Sequence, residues 1–277
     1  MSDALLVATG VSKWYPQPRR RPFGRRQRRV VLDGVDLAVG EGERVAVVGA
    51  SGAGKSTLLR LLLAVEAPDS GTISFRGRRV LPDRPSRMRW FRREVQFVAQ
   101  DPYGSLSPRM TVAEIVREPL RCLDIPGDHA RRVADLLAAV HLDPALAARR
   151  STELSGGQRQ RVAVARALAP QPAVLVADEP VSALDASVLV TVLDLLREVS
   201  AGTGAALVLV AHHLGAVRRA CTRLVVLDNG RVVETGPVDE VFQAPRASIT
   251  RALLDAVPRL PRGPAAADPR SLPRHRW

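Results

Sequence analysis

Cysteine and long apolar runs are both scarce in this 277-residue sequence. Its two cysteines, Cys122 and Cys221, are too few for a disulfide framework or a four-cysteine metal site, and they fit a reducing compartment. The longest apolar run, Ala205 to Ala211, has the length of a buried strand, whereas crossing a bilayer takes about 20 apolar residues. The start MSDALLVATG also lacks the basic and apolar regions of a signal peptide. We therefore expect a cytosolic protein.

Lysine is nearly absent, and the arginines are distributed unevenly. Lys13 and Lys55 are the two lysines among 41 basic side chains, and the formal net charge is +13. Residues 16–29 hold seven arginines and no acid, and residues 259–277 add five arginines against Asp268. These segments carry 11 of the 13 excess charges, so the remaining chain is nearly neutral.

The fold class predicted from the apolar pattern is α/β with a mainly parallel sheet. Five short apolar runs alternate with helix-like stretches, as crossover connections between parallel strands require. They are RVAVV (44–48), VQFVA (95–99), AVLVA (173–177), ALVLVA (206–211) and RLVVL (223–227). Before Gly42, LLVATG and VVLDGVDLAV predict antiparallel strands, interrupted by the arginine-rich insertion 16–29.

Helical periodicity replaces strand signals after about residue 101. TVAEIVREPL and ARRVADLLAAVHL carry apolar residues at three- and four-residue spacing, which predicts an inserted helical subdomain at about 101–165. From residue 258 onward proline, arginine and glycine dominate, which predicts a disordered tail after one folded unit at 1–257.

A phosphate-binding loop is predicted where the strand RVAVV meets a helix, because GASGAGKS fits the pattern G-x-x-x-x-G-K-S. Its residues are Gly49, Ala50, Ser51, Gly52, Ala53, Gly54, Lys55, Ser56 and Thr57. In such a loop the backbone N–H groups and the helix N-terminus bind phosphate oxygens. Lys55 would meet the β- and γ-phosphates, and the Ser56 hydroxyl would reach Mg²⁺. The alternative is a glycine-rich turn that matches by chance.

Two acids, Asp178 and Glu179, end the strand AVLVADE, where a parallel sheet exposes its carboxyl ends. One carboxylate there can hold hydrated Mg²⁺, and the next can deprotonate the water that attacks the γ-phosphate. Taken alone, the pair could instead cap the next turn.

A second anion site is predicted at LSGGQRQRVAVARAL, where Ser155, Gly156, Gly157 and Gln158 begin a helix. One nucleotide does not need two phosphate cradles. We therefore expect the second cradle to serve the nucleotide of another subunit.

These motifs together resemble an ATP-binding-cassette ATPase over about residues 5–258. The order of the phosphate loop, Gln100, LSGGQ, Asp178–Glu179, SALD (182–185) and His212 is similar to that of the family. The resemblance implies that ATP and Mg²⁺ lie between the loop of one subunit and the LSGGQ segment of its partner. Glu179 would be the general base, His212 would reach the γ-phosphate, and Gln100 would approach Mg²⁺ and link the site to the helical subdomain. Asp185 would lie at the dimer interface.

Tyr15 matches the position at which this family stacks an aromatic ring on adenine. Stacking is tolerant of ring type, so Trp14 is a substitute, and a plain surface aromatic is the alternative for both.

The strings QDPYGSLSPRMTVAEIVREPL and GRVVETGPVDEVF resemble the second ATPase subunit of dipeptide, oligopeptide and nickel importers. Three positions depart from the family pattern: Ala211 and His213 stand where the family has Ser and Asp around His212, and Ala99 replaces Phe before Gln100. The sequence does not identify the solute.

We expect a peripheral ATPase on the cytoplasmic membrane face that pairs with a second ATPase subunit and a transmembrane permease, and indirectly with a solute-binding protein. The alternative is a nucleic-acid-associated cassette ATPase of repair or translation, which the arginine runs suggest. Against specific nucleic-acid binding, the chain has a single cassette, no heptad repeats, and no aromatic residues interleaved with the arginines for base stacking.

Overall fold

The computed structural model describes residues 4–17, 28–178, 186–211 and 214–256. The strands are β1 (Ala4–Pro16), β2 (Arg28–Gly40), β3 (Arg44–Val48), β4 (Ser70–Phe75), β5 (Arg78–Arg79), β6 (Val95–Val98), β7 (Val174–Asp178), β8 (Ala206–Val210), β9 (Arg223–Asp228) and β10 (Arg231–Pro237). The helices are α1 (Lys55–Leu62), α2 (Pro85–Glu94), α3 (Pro102–Ser105), α4 (Val112–Cys122), α5 (His129–Ala139), α6 (Gly156–Leu168), α7 (Ala186–Thr203), α8 (Leu214–Ala220), α9 (Val238–Gln243) and α10 (Ser248–Asp255).

The larger sheet has six strands in the order β10-β9-β3-β8-β7-β6. All of its neighbouring pairs are parallel except the edge pair β9–β10. The five predicted strands are therefore present, and the predicted α/β class is confirmed. Because the strands between β9 and β6 run in one direction, the segments that follow them emerge at one edge of the sheet.

The smaller sheet is antiparallel, in the order β2-β1-β4-β5. Its first two strands are the predicted N-terminal pair, but they continue into the arginine-rich insertion and pair as far as Pro16 with Arg28. Only residues 18–27 of the insertion lie outside the described part of the chain. Pro16, Arg28 and Arg29 therefore extend the antiparallel β1–β2 hairpin.

Alternating residues of the central strands pack into two separate apolar cores. Ala46, Leu175 and Leu209 face a core shared with α4, α5, α6 and α7. Val47, Val176 and Val208 face the core shared with the antiparallel sheet, α1 and α2. This burial on both faces explains the unbroken apolar run of β8, since a strand covered on both sides needs no polar face.

Helices α4 and α5 each begin at a residue whose side chain caps the helix. The Thr111 hydroxyl accepts from the Glu114 amide while the Glu114 carboxylate accepts from the Thr111 amide, and the Asp128 carboxylate accepts from the first amides of α5. Such caps bind amides that would otherwise lack a partner at a helix start. Both helices predicted from periodicity are present.

The two cysteines are free thiols in different surroundings. Cys221 is buried and lies one residue beyond the end of α8. Burial raises the pKa of its thiol to about 12, so it is protonated at neutral pH. Cys122 ends α4 and is exposed. Among the described residues, no helix has the combination of length and hydropathy that crossing a bilayer requires.

Candidate nucleotide site

The predicted phosphate loop joins β3 to α1 and leaves the start of that helix unblocked. Gly54 is the N-cap, so no side chain caps the helix, and its first turn contains no acidic residue. The first amides of a helix carry partial positive charge and lack partners within the helix. The N-terminus of α1 therefore suits an anion such as phosphate.

Two glycines of the loop are required by close neighbours. A Cβ at Gly49 would lie 2.1 Å from the Leu227 carbonyl oxygen of β9. Gly54 has φ +107°, and a Cβ there would lie 2.8 Å from the Val31 carbonyl oxygen of β2. Backbone oxygens cannot move aside as a flexible side chain can, so both positions exclude larger residues. The loop is thus fixed in shape by strands from both sheets.

Lys55 lies within the loop, with a buried side chain that is 6% exposed. Its ammonium donates to the carbonyl oxygens of Gly49 and Ala50, at 2.8 and 3.0 Å. Around it, Ser51, Gly52 and Ser56 are exposed, whereas Ala53 is buried. The Lys55 ammonium is therefore held against the first two residues of the predicted loop.

The Mg²⁺ candidates Asp178 and Gln100 lie at the same sheet edge as the loop. Asp178 pairs in register with Val210 of β8, and Val210 pairs with Val47 of β3. With strands spaced about 4.8 Å apart, Asp178 lies two strands, or about 10 Å, across the sheet from β3. Gln100 follows β6, the strand beside β7, and its side chain is exposed.

These donors fit a magnesium ion bound together with a nucleotide. Magnesium takes oxygen ligands and keeps several waters, so one or two protein oxygens beside phosphates suffice. The partly exposed Asp178 carboxylate and the exposed Ser56 hydroxyl supply such oxygens. The described residues contain no group of three His, Cys, Asp or Glu side chains that could hold a metal ion.

Ser155 caps α6 and forms the second predicted cradle. Its hydroxyl accepts from the Gln158 amide at 3.3 Å, and the Gln158 side chain accepts from the Ser155 amide at 2.9 Å. This reciprocal capping box orders the turn that carries Gly156 and Gly157. The buried residues of α6 and α1 belong to different cores, so the helices that carry the two cradles pack on opposite faces of the sheet.

The structure distinguishes Tyr15 from Trp14. The Tyr15 hydroxyl donates to the Glu66 carboxylate at 2.6 Å, in the turn that follows α1. Burial, followed by this bond, raises the pKa of Tyr15. Trp14 points to the other face of β1, where the Arg28 guanidinium lies 5.3 Å from its ring centroid. Tyr15 is therefore the aromatic residue on the α1 side.

Three predicted site residues, Glu179, Asp185 and His212, lie outside the described residues. Beside the gap at His212, Ala211 is buried.

Other contacts at the site were missed by sequence reasoning. The Arg166 guanidinium donates to the Ser105 carbonyl at 2.7 Å, and the Ser151 hydroxyl donates to the Ser107 carbonyl at 3.0 Å. These bonds tie α6 and the residues before it to the segment that follows Gln100. Their partners are tens of residues apart, as are Tyr15 and Glu66, so no local pattern in the sequence indicates them.

The comparisons with known proteins all identify the same protein family. The sequence profile of the ABC transporter family matches residues 32–182. The nickel import ATP-binding protein NikE of Rhodospirillum rubrum is 46% identical over 268 residues, which are 95% of this chain and 94% of NikE. The dipeptide transport ATP-binding protein DppF of Escherichia coli is 40% identical over 262 residues, which are 94% of this chain and 78% of DppF.

A solved structure agrees with these relatives. The dimeric ATP-binding cassette MJ0796, in a post-hydrolysis state bound to ADP and phosphate, superposes with a TM-score of 0.73 at 28% identity; the match covers 84% of this chain and 99% of that one. Profile, sequence and structure therefore coincide on the same region that holds the phosphate loop and Asp178. The chain belongs to the ABC transporter family, and it is an ATPase of that family.

Proposed function

We propose that this ATPase powers an importer for nickel or a peptide, acting at the cytoplasmic membrane face on a separate permease. The observation that carries the proposal is the phosphate loop at the carboxyl edge of the sheet, with Lys55 inside it and Asp178 on the same edge. The import role is supported by relatives whose names state nickel import and dipeptide transport. Neither of them supports the nucleic-acid alternative.

The loop residues bind the triphosphate in this proposal. The α1 N-terminus and the Lys55 ammonium offset phosphate charge, and the ammonium exchanges its bonds to the loop carbonyls for bonds to phosphate oxygens. Ser56 and Asp178, with Gln100 nearby, would hold Mg²⁺, which would supply positive charge that offsets the charge of the phosphates.

Hydrolysis is assigned to the residues that follow β7 and β8. Glu179 takes a proton from the attacking water, the water oxygen bonds to the γ-phosphorus, and the bond to the bridging oxygen of ADP breaks. His212 contacts the γ-phosphate. A carboxylate that follows Asp178 is well placed for this task, because Asp178 ends its strand at the edge where the loop lies.

A second ATPase subunit completes the site. The α1 and α6 cradles pack on opposite faces of the sheet, which favours ATP shared between the loop of one subunit and Ser155, Gly156, Gly157 and Gln158 of its partner. Asp185 lies at this interface in the proposal. The dimeric state of MJ0796 supports the same arrangement. The ATPase unit spans residues 1–257, and a solute-binding protein delivers the solute to the permease.

Uptake measurements in cells test the function and identify the solute. A strain that lacks this gene should lose uptake of either radioactive nickel or a labelled dipeptide, and the wild-type gene should restore it. A gene that carries Lys55→Ala should fail to restore it, because the phosphate site is lost. Unchanged uptake of both solutes in the deletion strain contradicts the proposal.

A further inference from the structure

Tyr15 is attached to the end of the phosphate-loop helix by one short hydrogen bond. Its hydroxyl lies 2.6 Å from a Glu66 carboxylate oxygen. Glu66 lies in the turn that directly follows α1, so the tyrosine ring lies beside the helix that binds phosphate.

Glu66 is itself held in place from several sides. The amides of Val65 and Glu66 both donate to the Arg60 carbonyl, at 2.8 and 3.3 Å, so the turn is a direct extension of α1. The Arg60 guanidinium lies 3.5 Å from one carboxylate oxygen, and the Lys13 ammonium lies 3.9 Å from the other. These cations hold the carboxylate in place beside Tyr15.

Two further bonds join the same turn to β1. The Lys13 ammonium donates to the Ala67 carbonyl at 2.8 Å, and the Trp14 amide donates to the Asp69 carboxylate at 2.8 Å. These two bonds hold the backbone of β1 in place even without the Tyr15 hydroxyl. The additional effect of the bond between Tyr15 and Glu66 is to orient the tyrosine ring.

We infer that Glu66 is a positioning residue that orients the Tyr15 ring for adenine, at a fixed place relative to the phosphate loop. The inference rests on the proposed nucleotide site, in which Tyr15 stacks on adenine. An aromatic side chain turns about two torsions, and stacking needs one ring plane. The hydroxyl bond fixes that plane from the same helix whose first turn binds the phosphates. The distance between adenine and phosphate contacts is thus set by a single element, α1 with its following turn.

A double-mutant cycle on the purified full-length protein tests the inference. The variants are Tyr15→Phe, Glu66→Ala and the double variant, and the readouts are the dissociation constants of ATP and of inorganic tripolyphosphate. Loss of one hydrogen bond should weaken ATP binding about three- to tenfold in each single variant. The double variant should bind ATP no more weakly than either single, because one bond is removed in all three. Tripolyphosphate, which has no adenine, should bind all of them equally.

Two control variants separate positioning from general structure. Glu66→Gln keeps an acceptor oxygen and should retain most of the ATP affinity. Asp239→Ala removes an exposed acid that pairs with Arg218 and with no residue of β1 or α1, and it should bind ATP as the wild type does. Additive losses in the cycle, equal weakening of tripolyphosphate, or wild-type ATP binding by Glu66→Ala would each overturn the inference.

Tyr15→Ala separates this inference from the proposed site. If it weakens ATP binding while Glu66→Ala does not, the adenine contact stands and the positioning role of Glu66 fails. If it binds ATP normally, the adenine contact itself is wrong, and Glu66 has no ring to position. Normal ATP binding by Lys55→Ala would refute the phosphate site as a whole.

Discussion

At the scale of single residues, the phosphate loop depends on backbone atoms of other strands. Gly49 meets a carbonyl of β9 and Gly54 meets a carbonyl of β2, and both approaches are too close for a Cβ. A glycine at these positions therefore has a packing reason besides phosphate contact. The Lys55 ammonium is then enclosed by the carbonyls that these glycines bring close to it.

Replacing Glu179 with glutamine tests the general base. The amide keeps the size of the side chain but cannot accept the proton of the attacking water, so ATP hydrolysis by the assembled transporter should fall by about 10² to 10⁴. ATP binding should persist, because the phosphate loop and Asp178 are unchanged, and bound ATP should hold the dimer closed. A phosphate-release assay beside a nucleotide-binding assay measures both; near-normal turnover would falsify the base assignment.

The sequence indicated the loop, Asp178 and the start of α6 because each is a local pattern at the end of a strand or the start of a helix. It could not indicate that Tyr15 meets Glu66 or that Arg166 meets the Ser105 carbonyl, since those contacts depend on how distant segments pack. The sequence favoured Tyr15 with Trp14 as a substitute, and the strand places the two side chains on opposite faces. The roles of Glu179, Asp185 and His212 remain predictions.

At the scale of elements, α6 and the segment after Gln100 form one hydrogen-bonded unit. Arg166 and Ser151 bond to carbonyls at Ser105 and Ser107, and the Val112 amide donates to the Arg149 carbonyl at 2.8 Å. Burial lowers the pKa of Arg166, but an arginine stays charged at any physiological pH. These bonds connect the segment after Gln100 to the last turn of α6 through Arg166 and to the residues before its start through Ser151.

Ser155→Arg tests the two-subunit site at that N-terminus. The arginine should block the partner's nucleotide by its bulk while this subunit's own loop still binds ATP. Loss of the cap costs about 1 kcal/mol of stability, which a thermal unfolding curve detects. We expect normal ATP binding by the purified variant and a large loss of turnover in the assembled transporter.

Thr152→Arg is the matched control, because Thr152 is an exposed position in the same segment but does not cap α6. It should retain turnover. If Ser155→Arg lost ATP binding as severely as Lys55→Ala, with its fold intact, the shared-site arrangement would be wrong.

At the scale of the whole molecule, most of the excess positive charge lies in two arginine-rich segments outside the candidate ATPase site. The two arginine-rich segments carry 11 of the 13 excess charges, and one of them belongs to the β1–β2 hairpin. The strands pair as far as Pro16 with Arg28, and Arg28 and Arg29 are exposed at the described end. None of these arginines is among the candidate site residues.

This separation predicts a second contact with the membrane surface. Each basic residue that reaches anionic lipid contributes about 1 kcal/mol, and salt screens the attraction. We expect salt-sensitive binding to anionic lipid vesicles that drops, with ATPase activity unchanged, when the seven arginines are neutralised. These are Arg19, Arg20, Arg21, Arg25, Arg26, Arg28 and Arg29. Vesicle co-sedimentation at low and high salt measures the effect.

The tail supplies the matched control, because Arg259, Arg262, Arg270, Arg274 and Arg276 are also a basic cluster but lie far along the chain from the hairpin. If only the hairpin variant loses vesicle binding, the contact belongs to the hairpin rather than to net charge. Duplex DNA assayed in parallel accounts for general polycation behaviour, since any basic segment binds DNA weakly and without sequence preference. Equal vesicle binding before and after neutralisation of the seven arginines would contradict the proposed membrane contact. The arginines would then be a solvated segment whose charge serves solubility.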